Sequence, residues 1–170
     1  MIIRRLAPSD APAYRPLRLR ALREHPEAFT SSYEENADAP LADTEKRLAS
    51  STATLWGAFE GEALCGAVGL DRETRAKNRH KASLVAMYVA PEHGGRGVGR
   101  MLVNALVQEA RAERLELLVL TVTEGNHSAI QLYERAGFQT WGTEPRAIKV
   151  AGRAYSKNHM YLHLSAPTTP

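Results

Sequence analysis

Gly94, Gly95, Gly97 and Gly99 crowd into one short loop, and no other stretch of the chain is as suggestive of chemistry. Without Cβ atoms a backbone can approach a ligand closely. From Val98 the pattern changes: Val98, Leu102, Ala105 and Leu106 fall on one face and Arg100, Asn104, Gln108 and Arg111 on another, as in an amphipathic helix. A glycine loop feeding a helix N-terminus presents free N–H groups and a partial positive charge, which suits a phosphate. Spacing excludes two familiar phosphate loops. The gap from Gly94 to Gly99 fits a Walker loop, but Arg100 and Met101 follow where lysine and a hydroxyl are required. A dinucleotide fingerprint needs a third glycine; counted from Gly95 or from Gly97, that place holds Arg100 or Leu102. A plain surface loop is the remaining alternative, and a strong strand before it and a strong helix after it speak against that.

The other reactive side chains are sparse. Cys65, the single cysteine, lies in an apolar run and reads as a small core thiol rather than a nucleophile. One cysteine excludes an internal disulfide framework. His159 and His163 are four apart, but no neighbouring ligand completes a metal set, so no metal is expected. With 170 residues the chain fits one domain with a full core, here residues 1–165, followed by a frayed tail at 166–170. A hydrophobic content of 44% and a charged content of 24% are those of a globular protein. The net charge of +3 suits an anionic ligand, but basic residues are scattered, so no nucleic-acid partner is expected. No apolar run is long enough to cross a membrane, and Met1 to Pro8 lacks a signal peptide's apolar core. The expected location is the cytoplasm.

Elements must position the loop. Leu84 to Val89 reads as a buried strand and Pro91 as the turn after it. Before them come a strand at Ile2 to Leu6 and a helix capped by Ser9 and running to about His25, with Arg15, Arg18 and Arg23 largely outside. Pro16 complicates that helix. Pro26 to Asn36 reads as a loop or broken helix, and Pro40 to Ala49 as a short helix. Strands at 54–59 and 63–70 form a hairpin, and 71–81 is a charged turn. After the helix from Val98, Leu115 to Val122 is a strand, Asn126 caps a helix and Gly137 ends it, and strands at 138–143 and 155–164 finish the chain. The fold class is therefore α/β: a mixed, mostly antiparallel central sheet of about seven strands with helices on both faces.

Arg96-Gly-Val-Gly-Arg-Met-Leu102 after an apolar strand resembles the acyl-CoA pyrophosphate loop of the GNAT acetyltransferases (GCN5-related N-acetyltransferases). Asn126-His-Ser-Ala-Ile-Gln-Leu-Tyr-Glu-Arg-Ala-Gly-Phe138 is similar to the second signature of that family. The resemblance covers residues 54 to 164 firmly and the N-terminal part loosely. In one departure, Gly94 stands where the family usually carries Arg or Gln.

The resemblance implies a sheet whose fourth and fifth strands splay apart, with acetyl-CoA as cosubstrate in the gap. It gives Met87, Tyr88 and Val89 backbone contacts to the pantetheine and the thioester carbonyl, where a fixed donor stabilises the oxyanion. It gives Gly95, Arg96, Gly97, Val98, Gly99 and Arg100 the pyrophosphate, and Asn126 both a helix cap and a cofactor contact. Tyr133, in the Leu-Tyr signature, becomes the acid for the departing thiolate, because a tyrosine with a reference pKa of about 10 stays protonated at neutral pH. The implied partner is an amine acceptor. Its pocket is expected from Phe29, Ser31, Ser32, Tyr33 and Glu34, an acidic and aromatic stretch that suits a small cationic amine. Glu34, Glu35 and His127 are titratable groups near that chemistry, and each also reads as a surface residue. Thr121 stands where members resembling the ribosomal-protein N-terminal acetylases often carry Glu. No Cys-His or Ser-His pair is legible for a covalent intermediate, so direct transfer is the expected route. An acyl-CoA-binding regulatory module without turnover and a protein N-terminal or lysine acetyltransferase are the alternatives. Family members are often dimers, so a homodimer is an expectation too.

Overall fold

A computed structural model describes residues 1–164; residues 165–170, which include the tail expected at 166–170, lie outside the described residues. The elements run β1 (Ile2–Arg5), α1 (Ala11–Glu24), α2 (Tyr33–Asp38), α3 (Leu41–Leu48), β2 (Ala53–Glu60), β3 (Ala63–Arg72), β4 (Lys81–Val89), α4 (Val98–Ala112), β5 (Leu117–Thr123), α5 (His127–Arg135), β6 (Gln139–Val150) and β7 (Arg153–His163). The strands form one sheet in the order β1-β2-β3-β4-β5-β7-β6, so the expected seven-stranded mixed sheet is present.

Strand alternation builds a core on each face. In β2, Trp56 and Ala58 face one way, with Val68 and Leu70 of β3, and join the α4 stripe of Val98, Leu102, Val103 and Leu106. Leu55 and Phe59 face the other way and pack with Ala11, Tyr14, Leu17 and Ala21 of α1. Leu102 and Leu106 are fully buried, and such a side chain contributes roughly 1.5–3 kcal/mol. That buried stripe holds α1 together through Pro16, which lies exposed within the helix. Asp10 rather than Ser9 stands at the N-cap of α1, and its carboxylate does not cap the helix because it is taken by the Ala7 N–H (2.7 Å) and by Arg4 (2.8 Å).

The only parallel pairing among the described strands, β4 with β5, is short. It matches Lys81 with Leu117, Ala82 with Leu118 and Ser83 with Val119, and then stops. β4 continues along β3 through a register shift between Ala67 and Gly69, and Ala86 inside it has φ +54°. β5 continues along β7 from Leu117 to Thr123. A wedge therefore opens between β4 and β5 at mid-sheet, as the resemblance implied. β6 runs further than the expected 138–143 segment. It bends at a bulge between Glu144 and Ile148, where Arg146 has φ +54°.

Candidate active site

On the α4 side of the wedge lies the glycine loop. Gly97 is the N-cap of α4 with φ +77°, and no side chain caps the first turn. The N–H groups of Val98, Gly99 and Arg100 are thus left to solvent or a ligand. Gly95 also has a positive φ, +70°, and a Cβ at Gly95 or Gly97 would meet nothing within 4 Å, so the surface over the loop is open. Gly99 answers to packing instead: a Cβ there would come within 3.2 Å of Leu132 and of Met87. A Cβ at Gly94 would lie 3.1 Å from the Pro91 carbonyl oxygen, so a larger residue there would require that carbonyl to shift by a few tenths of an ångström.

Arg96 is bonded within the protein. Its guanidinium donates to both carboxylate oxygens of Glu60 (2.6 and 3.4 Å) and lies 3.2 Å from His93 Nδ1. The guanidinium holds the Glu60 carboxyl below its usual range. Glu60, Cys65 and His93 place potential metal-ligand atoms within 4.8 Å of one another, and Arg96 already provides a cation to two of the three. Cys65 is 2% exposed, a core thiol as expected.

Tyr133 projects from α5, is 5% exposed and meets Phe138 edge-on at 5.9 Å between ring centres. Burial pushes its hydroxyl well above the ordinary range, so it stays protonated at any physiological pH. Asn126 caps α5, its Oδ1 accepting from the Ala129 N–H at 3.2 Å. Tyr88 turns its side chain to the opposite face. There its hydroxyl donates to Glu24 at 2.8 Å, and desolvation followed by that bond pushes its pKa up to about 12. Beyond Ser83, the β5-facing backbone of β4, with Met87, Tyr88 and Val89, has no ladder partner in β5.

On the α1 side of the wedge lies a cavity of about 480 Å³, within the usual range for a small-ligand site. Ala86 of the β4 bulge and Thr121 of β5 form part of its wall, so it reaches the gap where the strands part. Of the expected acceptor residues, Phe29 and Ser31 line it, and Ser32, Tyr33 and Glu34 do not. The physical reason is α2. Ser32 is its N-cap, bonded to the Glu35 N–H, and the Glu35 carboxylate answers the Ser32 N–H at 2.8 Å. Tyr33 lies near the Arg23 guanidinium (5.8 Å) and Glu34 is exposed.

The charge of the cavity is the reverse of the expected one. Arg15, Arg18, Arg47 and Lys157 line it against Asp43 and Asp71. Asp71 is paired with Arg47 at 2.9 Å, and Asp43 is exposed. Arg18, expected outside, stacks over Phe29 at 4.7 Å, and its Nη1 is sealed and unbonded. Burial lowers its pKa. A signal was available: Arg18 is four residues after Tyr14 and three before Ala21, on the buried stripe of α1. Lys157 is 4% exposed, and burial lowers its pKa as well. It donates to the carbonyls of Ala28 (3.2 Å) and Glu27 (3.4 Å). No local pattern marks Lys157, because what covers it comes from residues 26–28.

The model of the Acetyltransferase (GNAT) family matches residues 19–138. The L-methionine sulfoximine/L-methionine sulfone acetyltransferase of Pseudomonas paraeruginosa is 34% identical over 79 residues, 46% of this chain and 46% of that protein. The chain thus spans about half the length of such curated relatives. The N-alpha-acetyltransferase RimI of Mycobacterium tuberculosis is 33% identical over 113 residues, 66% of this chain and 69% of that protein. Among solved structures, the acetyltransferase YncA of Salmonella typhimurium, determined with its cofactor acetyl-CoA, superimposes with a TM-score of 0.82 at 24% identity, covering 100% of this chain and 97% of that one. A match across most of the chain, a shared seven-stranded sheet and two signatures flanking one wedge agree: the chain belongs to the GNAT acetyltransferase family.

Proposed function

We propose that the protein is an acetyl-CoA-dependent N-acetyltransferase that moves an acetyl group directly to a primary amine of a small molecule. The observation that carries this reading is the wedge between β4 and β5: it joins an open, uncapped glycine loop on one face to a cavity on the other. Acetyl-CoA lies with its pyrophosphate on the N–H groups of residues 95–100 and its pantetheine along Met87 to Val89, with Asn126 beside the arm. The amine reaches the thioester past Ala86 and Thr121. A C–N bond forms, the C–S bond breaks, and the Tyr133 hydroxyl gives its proton to the sulfur. The surplus proton of the nitrogen passes to solvent, which reprotonates the tyrosine. The names of two relatives, a methionine sulfone acetyltransferase and an acetyltransferase solved with acetyl-CoA, support this chemistry.

The cavity favours a small acceptor over a protein. Thr121, on its wall, stands where the ribosomal-protein type often carries Glu. The same reading places the protein in the cytoplasm, where acetyl-CoA is abundant; no helix of the described residues is long and apolar enough to cross a membrane. A homodimer also fits, since the edge strand β6 carries Trp141 at 65% exposure.

Calorimetry with acetyl-CoA, desulfo-CoA and magnesium-ATP is the first test, followed by thiol release across an amine panel. Acetyl-CoA binding without ATP binding, and then CoA release, is the expected result. Binding without release for any amine would favour the regulatory-module alternative. No acetyl-CoA binding by folded protein would end the reading.

A further inference from the structure

We infer that the acceptor carries a carboxylate, and that Arg18 and Lys157 hold this carboxylate in the cavity while its amine faces the wedge. This rests on the acetyl-transfer reading and narrows its substrate to amino-acid-like primary amines.

The argument begins with two cations that have no matching anion. A charge taken out of water is costly unless paired, and more so where its donors go unanswered. The Arg18 guanidinium stacks over the Phe29 ring at 4.7 Å, its Nη1 is sealed with no acceptor, and the groups that act on it through space are the Tyr14 hydroxyl and the like-charged Arg47. Lys157 faces only the two carbonyls of residues 27 and 28, and the Glu27 carboxylate acts on it through space without a bond. The acids on the wall are already committed: Asp71 belongs to Arg47 at 2.9 Å and Asp43 is at the exposed rim. An anionic ligand in the cavity answers these charges, bonding Arg18 through the guanidinium N–H groups other than the sealed Nη1, and the planar guanidinium suits a carboxylate in particular. The rest of the wall suits an amino acid. Leu84, Val85 and Phe29 offer apolar surface to a side chain, and Ala86 and Thr121 lie where the amine must meet the thioester. A peptide N-terminus, whose first residue has no free α-carboxylate, does not satisfy the two cations.

The test measures thiol release with L-leucine, L-methionine and L-phenylalanine against their amides and their decarboxylated amines. A site built to bond a substrate group discriminates strongly against the analogue lacking it. At least one amino acid should exceed its amide in kcat/KM by about tenfold or more. Arg18→Gln and Lys157→Met should each remove most of that preference, raising KM for the acid far more than for the amide, and Arg18→Lys should keep part of it. Amides or simple amines that serve as well as the acids in the unaltered protein would overturn the inference. So would an Arg18→Gln effect equal on acid and amide, which marks a merely structural residue. If no acceptor releases CoA, the transfer reading fails, and calorimetry with N-acetyl-L-leucine and N-acetyl-L-leucinamide in the presence of CoA decides the anion site separately. Arg18-dependent binding of the acid alone sustains the site; equal binding, or none, removes it.

Discussion

The two sides of the wedge are built from different materials. The proposed cofactor side is backbone: positive-φ glycines, an uncapped helix start and a strand whose ladder has ended. The proposed acceptor side is side chains: Arg18 from α1, Phe29 from a loop, Arg47 from α3 and Lys157 from β7. Backbone donors serve any ligand with the right phosphate geometry, so this side suits a cosubstrate that never changes. Side-chain donors can be exchanged singly, so the acceptor side is where specificity is set.

If that contrast holds, a single side-chain change on the cofactor side should do little, except where a side chain performs chemistry. Tyr133→Phe is the exception and the largest expected effect: kcat falls about 100-fold while acetyl-CoA binding stays nearly unchanged. Stopped-turnover assays and calorimetry read the two quantities separately, and an unchanged kcat with a good acceptor would remove Tyr133 from the mechanism.

Next in size is a change in stability on the acceptor side. Removing the unpaired Arg18 cation with Arg18→Met should stabilise the ligand-free protein by about 1 kcal/mol, because unrepaid desolvation exceeds the roughly 0.5–1 kcal/mol of stacking on Phe29. For a chain of this size that is a rise in Tm of about 2–4 °C. A fall in Tm would mean that Arg18 is a structural residue, and the contrast between the two sides would blur.

The same difference in materials governs what could be read from the sequence. The local structure of the proposed cofactor side was legible because its parts are contiguous: Leu84 to Val103 carries strand, loop and helix, and Asn126 to Phe138 carries cap, helix and tyrosine. The proposed acceptor side was not, because its parts come from elements scattered along the chain, from α1 to β7, and only folding assembles them. The acidic stretch at Glu34 and Glu35 suggested a cationic acceptor, but Glu35 is spent on the cap of α2. The β6 strand was underestimated for a related reason. Pro145 lies beyond the expected 138–143 segment, at the bulge of an edge strand, where proline and charge are tolerated.

The smallest expected effect bears on whether the cofactor side is backbone alone. Arg96 is the one loop side chain bonded to a carboxylate, with Glu60 taking both of its arms. Both groups are about half exposed, and such pairs are worth little. Glu60→Gln should therefore release Arg96 toward the pyrophosphate and lower the acetyl-CoA KM by about threefold at low salt, with the gain fading as salt is raised. The amine KM should not move, since Glu60 is not among the residues that line the cavity. A KM unchanged at every salt concentration would mean that the loop binds through its N–H groups alone, which sharpens the contrast. A KM that rises would mean that Glu60 holds the loop in its binding shape, and that one side chain there positions the backbone.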